Sequence, residues 1–410
     1  MSLLSVCCMG RRGIPTSLPT LLFAPLTCAF FSSEINRIAL LFVFLIEKYI
    51  MAKQFNVLDL FSGCGGLSCG LDQVEGITTQ VALDFEPKAI ETFKRNFPQT
   101  HCICGDICDE TIKQDIIKAC NERHVNMIVG GPPCQGFSMK GKKLGLKDPR
   151  NFLFMEYVNL VDRIRPEVFV IENVKAMVAT ENHYFINQIY EQFEKIGYQL
   201  NHAILRASDF GVPQTRERTI IIGHLGERIS SMPEGNCEKP TTVKDAISDL
   251  AYLDSGEGEF ESEYRIPAQT DYQRMLRANS THLYNHTATA HNKVALDKLM
   301  MIPAEGDKSA LPLELHGRQK FHTTWGRLIW NQPSPTIDTR FDTPSNGRNS
   351  HPELHRSITP REAARIQSFP DTFIFYGNKT AICKQIGNAV PPLLAKAIGQ
   401  HIIDNFGQDE

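Results

Sequence analysis

Apolar residues in this chain gather in short runs, separated by turns and by stretches with helical spacing. From Phe55 the order is apolar run, turn, amphipathic stretch, repeated. Val57-Leu58-Asp59-Leu60 predicts a first strand, followed by a glycine-rich turn from Ser62 to Gly66 and then a helix. Thr79 to Leu83 predicts a second strand, and Pro87 to Phe97 a helix with Ala89, Ile90 and Phe93 on one face. His101 to Cys104, Met127 to Val129 and Val168 to Ile171 read as further short buried strands. This alternation predicts an α/β fold with a doubly wound, mostly parallel sheet. After about residue 225 the rhythm changes, and residues 226–320 are polar, irregular and punctuated by Gly and Pro. Regular signals return at Thr359-Pro360-Arg361-Glu362, where Thr359 can cap a helix and Pro360 can occupy its first position. There is no internal repeat and no low-complexity tract.

Composition narrows the class. A chain of 410 residues can bury a substantial core and is expected to hold two domains. Its 42% hydrophobic and 22% charged residues exclude a disordered chain. The formal net charge of -3 excludes a globally basic protein, so any positive potential for nucleic acid must be local, in one cleft. The 12 cysteines are scattered without framework spacing, which favours a reduced, cytoplasmic setting. Cys102, Cys104 and Cys108, with His101 adjoining, read as strand and turn residues because Cys-x-Cys lacks the paired spacing of a structural zinc site; no metal is expected. Residues 1–50 are nearly devoid of charge, with apolar stretches at Leu18 to Phe31 and Ile38 to Ile46 and a basic Arg11-Arg12 ahead of the first. A signal peptide is formally open, but neither stretch reaches the ~20 apolar residues of a membrane span. Met51 is the expected natural start; a native product whose intact mass retains Met1 would overturn that.

Chemistry concentrates at strand ends. Gly130-Gly131-Pro132-Pro133-Cys134-Gln135-Gly136-Phe137-Ser138 places a thiol just past the apolar run Val125 to Val129, in a turn too rich in Gly and Pro for helix or strand. That is where an α/β enzyme would put a nucleophile, although a lone Pro-Pro-Cys is also compatible with a buried, inert Cys. The turn Asp59-Leu60-Phe61-Ser62-Gly63-Cys64-Gly65-Gly66-Leu67 lies where a Rossmann-like fold binds its cofactor, but its glycines miss the dinucleotide spacing. The second strand ends in Asp84, placed to accept ribose hydroxyls, and Phe85 beside it can stack on adenine. After the third strand, Gly105-Asp106-Ile107 offers a carboxylate for an adenine amino group and an apolar wall. Each feature alone reads as a surface turn. Together they make a nucleoside site without phosphate-binding basic residues, which points to S-adenosylmethionine.

With these segments in their order, the chain resembles the DNA (cytosine-5)-methyltransferases from Phe55 to about Ile402. The further blocks are Glu172-Asn173-Val174, Gln214-Thr215-Arg216-Glu217-Arg218, Arg361-Glu362-Ala363-Ala364-Arg365-Ile366-Gln367-Ser368-Phe369-Pro370 and Gln385-Ile386-Gly387-Asn388-Ala389-Val390-Pro391-Pro392. The resemblance implies a Rossmann-like methyltransferase sheet with a smaller, irregular target recognition domain. It divides the chain into a non-family extension (1–50), a catalytic and cofactor domain (51–225), a recognition domain (226–355) and a returning C-terminal segment (356–410). It implies that Cys134 attacks C6 of a flipped cytosine and that Glu172 acts at N3. Arg218, with Arg216 nearby, would bind O2 and hold the site. The cofactor S-adenosyl-L-methionine would lie against Phe61, Gly63, Gly65, Gly66, Leu67, Asp84, Phe85, Asp106, Ile107, Pro132, Asn388 and Val390. Gln135 to Arg150, with Ser138, Lys140, Lys142 and Lys143, is similar by position to the family's mobile loop, and Arg318, Lys320, Trp325 and Arg327 are candidate DNA contacts. The expected partner is double-stranded DNA, with a restriction endonuclease acting separately if one exists; a monomer is expected and no membrane is involved. An RNA cytosine methyltransferase and a catalytically dead DNA-binding protein are the rivals. A nicotinamide oxidoreductase fails on the glycine spacing.

Overall fold

The computed structural model describes residues 53–133, 152–178, 184–228, 231–317 and 323–407. Residues 1–50, Met51, Cys134, the segment Gln135 to Arg150, Arg318 and Lys320 lie outside the described residues. The fold below is that of the compact unit Ala52–Glu410.

Seven strands form one sheet: β1 (Phe55–Leu60), β2 (Ile77–Asp84), β3 (His101–Cys104), β4 (Met127–Gly130), β5 (Val168–Val174), β6 (Tyr198–Arg206) and β7 (Glu217–Leu225). Their order is β3-β2-β1-β4-β5-β7-β6. The first five run parallel, and β7 pairs antiparallel with both β5 and β6. Strand order reverses between β1 and β4, so a crevice opens beyond the carboxyl ends of these two strands. The second strand is longer than the sequence pattern predicts, because Ile77 and Thr78 pair with Phe55 and Asn56 of β1 ahead of Thr79. β3 differs from expectation. It is an edge strand, with His101 and Cys104 exposed and only Ile103 buried, so it is not a buried strand.

Helices α1 (Gly66–Leu71), α2 (Pro87–Asn96), α3 (Glu110–Glu122), α4 (Phe152–Ile164) and α5 (Tyr184–Lys195) connect the strands. Ala89, Ile90 and Phe93 are buried on one face of α2, as its spacing predicts. One core, around Leu58, Leu60, Ile128, Phe154 and Phe169, fills one side of the sheet. Another, with Val57, Val129, Val170 and Ile220, packs under α1 and against Leu394, Ile398 and Ile402 near the C-terminus. Among the described residues of 231–358 the helices are short, α6 (Val243–Ile247), α7 (Asp271–Arg277) and α8 (Lys293–Met301), and the two-residue strands Glu261–Ser262 and Leu283–Tyr284 pair antiparallel. The chain closes with α9 (Pro360–Ile366), α10 (Lys379–Asn388) and α11 (Pro392–Phe406). Thr359 caps α9 in a full capping box with Glu362, with Pro360 in the first turn. Among the described residues no helix is long and apolar enough to cross a membrane.

Two features fix the glycine turn after β1. First, α1 and α11 touch backbone to backbone: a Cβ on Gly70 would stand 2.1 Å from the Pro392 carbonyl oxygen. Second, Asp59, on the β1 face that carries Val57, is fully buried and accepts a 2.7 Å hydrogen bond from the Ser68 hydroxyl of α1. Its other oxygen, Oδ1, has no hydrogen-bond partner among the described residues. Burial raises this carboxyl from its ordinary value to about 7, against the opposing Ser68 hydrogen bond.

Two predictions follow from these contacts. Gly70→Ala should lower stability by roughly 1–3 kcal/mol in urea unfolding, the range for overpacking; an unchanged midpoint would show that the helices part freely. Because the folded state holds the Asp59 proton more tightly than the unfolded chain does, the buried carboxyl costs nothing at low pH. The cost grows through the window between the ordinary value of 3.8 and about 7. Asp59→Asn should therefore gain stability relative to wild type as pH rises from 4 to 8, by at most roughly 4 kcal/mol at about 1.36 kcal/mol per unit. A difference independent of pH would refute the assignment.

Candidate active site

The crevice at the β1–β4 switch is built from the ends of several strands. β1 leads into a turn in which Phe61 has φ 57, Gly63 φ 55 and Gly65 φ 97. Glycine is required at position 65, where an added Cβ would strike the Phe97 ring at 2.6 Å. At Gly66 a Cβ would lie 2.5 Å from the Val390 carbonyl oxygen, so the turn is backed by the C-terminal segment. Leu67 and Val390 are both buried in the core on that side.

Asp84, at the end of β2, spans this turn. One carboxylate oxygen accepts the Gly63 N–H and the other accepts the Glu86 N–H, each at 2.8 Å. Burial raises its carboxyl above the ordinary range, and the two N–H bonds oppose that shift. Phe85 beside it is 72% exposed, an unusual state for a large ring and suited to stacking. Beyond β3, Asp106 is exposed and accepts the Cys108 N–H at 2.9 Å, while Ile107 is buried. The donor set at the crevice suits a nucleoside: carboxylates for hydroxyl and amino groups, an aromatic face and a glycine turn. Among the described residues no group of His, Cys, Asp and Glu is arranged to hold a metal ion.

The second half of the crevice belongs to β4, β5 and β7. Gly130 lets β4 press on β1, since a Cβ there would meet the Leu60 carbonyl oxygen at 2.3 Å. The Asn173 side-chain amide donates to the Pro132 carbonyl at 2.8 Å, anchoring the main chain two residues before Cys134. A Cβ on Gly131 would lie 3.1 Å from Glu172 Oε2, so the carboxylate sits directly under this turn. Glu172 is 9% exposed. Its Oε1 lies 2.8 Å from Arg218 Nε as an ion pair without hydrogen-bond alignment, and it has no hydrogen-bonding partner among the described residues. Arg218 is itself held by donating to the Glu217 carbonyl at 2.8 Å.

Arg216 has a different place from Arg218. It is 2% exposed and donates to the Gly387 carbonyl at 3.1 Å, and to those of Ile337 and Asn388 at 3.4 Å. Burial lowers its guanidinium to about 9, with the charge of Arg218 adding to the effect. Its reach is thus to the C-terminal segment rather than to the Glu172 carboxylate. Asn388 is exposed and offers this carbonyl, whereas Ala389 and Val390 face the glycine turn. Gln214 completes the joint: its Nε2 donates to Gln367 Oε1 at 2.7 Å and its Oε1 accepts the Ile337 N–H at 2.8 Å. Gln367 Nε2 in turn donates to the Ile386 carbonyl at 2.7 Å. Sequence reasoning placed Gln214, Gln367 and Asn173 inside motifs without a role. The side-chain amides within those motifs were the available signal.

Two candidate DNA contacts need correction. Arg327 is fully buried, and its guanidinium donates to the carbonyls of Ile302, Leu299, His351 and Leu354. It braces the fold and cannot reach a base or phosphate. Trp325 is 8% exposed, with the Lys298 ammonium 4.8 Å from its ring centroid.

A family model described as C-5 cytosine-specific DNA methylase matches residues 55–404. Type II methyltransferase M1.HphI of Haemophilus parahaemolyticus is 34% identical over 364 residues, covering 88% of this chain and 90% of its own. Type II methyltransferase M.DdeI of Desulfomicrobium norvegicum is 36% identical over 375 residues, covering 85% and 88%. Among solved structures, an Escherichia coli protein assigned as a DNA modification methyltransferase encoded within a prophage superposes with a TM-score of 0.67 at 26% identity. It covers 87% of this chain and 100% of that one. The Schizosaccharomyces pombe Dnmt2 methyltransferase, at 17% identity and a TM-score of 0.51, shares the fold. The family match begins with β1 and ends in α11, so it takes in the whole sheet and its closing helix: the chain belongs to the C-5 cytosine-specific DNA methylases.

Proposed function

We propose that this protein transfers a methyl group from S-adenosyl-L-methionine to C5 of a specific cytosine in double-stranded DNA, as the modification enzyme of a restriction system or as an orphan. A separate restriction endonuclease is the partner in the first case. The observation that carries the reading is the Glu172–Arg218 ion pair under the Gly131-Pro132 turn, whose buried carboxylate oxygen has no aligned hydrogen bond among the described residues. A buried acceptor of that kind favours a ligand that brings an N–H. Cytosine supplies one at its exocyclic amine.

In this reading the target leaves the stack, at a cost of roughly a few kcal/mol. The Cys134 thiolate bonds to C6, and the electron pair moves through the ring toward N3 and C5, giving an enamine. A proton delivered through Glu172 to N3 neutralises the electron pair arriving there, and Arg218 holds O2. S-adenosylmethionine supplies the electrophilic methyl group. After C5 has taken it up, loss of the C5 proton returns an electron pair to the ring and expels the Cys134 thiolate. The cofactor would be held by Phe61, Gly63, Gly65, Gly66 and Leu67 of the turn, by Asp84 and Asp106 as acceptors, by Phe85 and Ile107 as the apolar walls, and by Pro132, Asn388 and Val390 at the rim. Arg216 acts as a positioning residue, and residues 226–355 supply target recognition.

A duplex carrying 5-fluorocytosine at the target should trap a covalent complex stable to denaturing gels, since fluorine cannot leave as a proton does. Cys134→Ser should bind duplex yet form no adduct, and turnover by that variant would sink the mechanism. Glu172→Gln should slow single-turnover methylation by about 10²-fold or more while leaving the unfolding midpoint near wild type. A rate near wild type would remove Glu172 from N3. Methylation of transfer RNA rather than duplex DNA would favour the RNA reading.

A further inference from the structure

A polar cluster stands on the rim beside the Glu172–Arg218 pair and takes no part in the mechanism above. Glu217 forms a hydrogen-bonded ion pair with Lys175 at 2.8 Å and another with Arg206 at 3.0 Å. The topology explains why these residues meet. Lys175 follows the carboxyl end of β5, Arg206 ends β6, and Glu217 opens the antiparallel β7. Arg206 and Glu217 are register partners, and so are Val174 and Arg218. All three polar groups therefore lie on the same edge of the sheet as the Gly130–Pro133 turn, the edge that a duplex must approach to deliver a base.

The charges are unequal. One carboxylate serves two cations, which leaves a net positive charge on the rim of a protein whose overall charge is -3. Side chains of Lys175 and Arg206 are 52% and 54% exposed, while Glu217 is 26% exposed. Ion pairs this accessible are worth about 0–1 kcal/mol, so they exchange readily for a stronger anion. Arg218 and Glu172 beside them are only 15% and 11% exposed, and that pair is poised to stay closed while the outer one opens. Val174 lies next to Lys175 and is 45% exposed, an apolar surface suited to deoxyribose.

The geometry points to a phosphate clamp: Lys175 and Arg206 hold the DNA backbone next to the flipped cytosine, and Glu217 is the counter-ion they leave when DNA arrives. The inference rests on the methyltransferase reading and assigns the backbone contact of that site. It makes Glu217 an acid that keeps the two cations extended and ordered in the free protein, and that opposes phosphate in the complex.

The test is duplex binding by fluorescence anisotropy across a salt series, with the full-length protein and S-adenosylhomocysteine present. Lys175→Ala and Arg206→Ala should each reduce the slope of log affinity against log salt by about 0.9, the value for one phosphate contact. Both should weaken cognate and non-cognate duplexes alike. Glu217→Gln should tighten binding at fixed salt, the opposite sign. Unchanged slopes in both alanine variants, or weaker binding in all three variants, overturns the clamp. The two readings separate in the wild type: a protein that methylates the duplex and is trapped by 5-fluorocytosine, yet shows unchanged slopes in the variants, loses the clamp alone. A wild type that neither binds nor methylates the duplex loses both.

Discussion

The structure depends on backbone meeting backbone where the two ends of the family region come together. At Gly66, Gly70 and Gly387 an added Cβ would fall 2.5, 2.1 and 2.4 Å from carbonyl oxygens of Val390, Pro392 and Asp338. No side chain larger than hydrogen fits at such distances. The first turn after β1 is thus shaped by a segment more than 300 residues away in the chain. Gly130 repeats the principle between β4 and β1, where a Cβ would meet the Leu60 carbonyl oxygen. Close approach of main chains, rather than any one side chain, brings the glycine turn after β1 and the Glu172–Arg218 pair to one crevice.

Charge is distributed in layers around that contact. Deepest lie Asp59 and Arg216, each buried and each displaced from its ordinary ionisation by desolvation. Their value is geometric, because each satisfies or is satisfied by groups on another segment. The same device recurs in α9, where Arg365 binds Asp249 at 2.6 Å and Asp371 at 2.7 Å, and Arg356 binds Glu362, all with side chains fully buried. Such pairs add little net stability over an apolar core, yet losing one partner leaves an uncompensated charge at a cost of roughly 3–5 kcal/mol. They tie the irregular region, through Asp249 and Arg356, to α9. Outside them, the Glu172–Arg218 pair is partly open, and the Glu217 cluster is open to solvent.

Much of this was legible in the sequence. Apolar runs separated by glycine turns gave the parallel strands, and Thr359-Pro360 gave the capped α9, because both signals are local. Asp84 and Phe85 could be placed at the crevice for the same reason: they end a strand that the pattern defines. What could not be read was set by partners distant in the chain. β3 has the apolar look of a buried strand, but its edge position is a property of sheet order. Arg327 looks like a surface base until four carbonyls from distant loops surround it. Arg216 and Arg218 share a motif and alternate in spacing, and only the position of the 387–388 carbonyls separates their roles.

That separation makes residues 216–218 the most informative stretch of the folded chain. Arg216 turns inward and fastens the C-terminal segment that backs the cofactor turn. Glu217 turns outward to Lys175 and Arg206 on the rim. Arg218 reaches Glu172, beneath the turn that leads to Cys134. Because successive residues of a strand point to opposite faces, a shift of β7 by one residue would exchange the partners of Glu217 and Arg218 together. The antiparallel register of β7 with β5 and β6 prevents that shift, pinning Arg218 to Val174 and Glu217 to Arg206. One strand register thereby sets Glu217 against Arg206 at the rim and Arg218 against Val174, within reach of Glu172 under the Gly131-Pro132 turn.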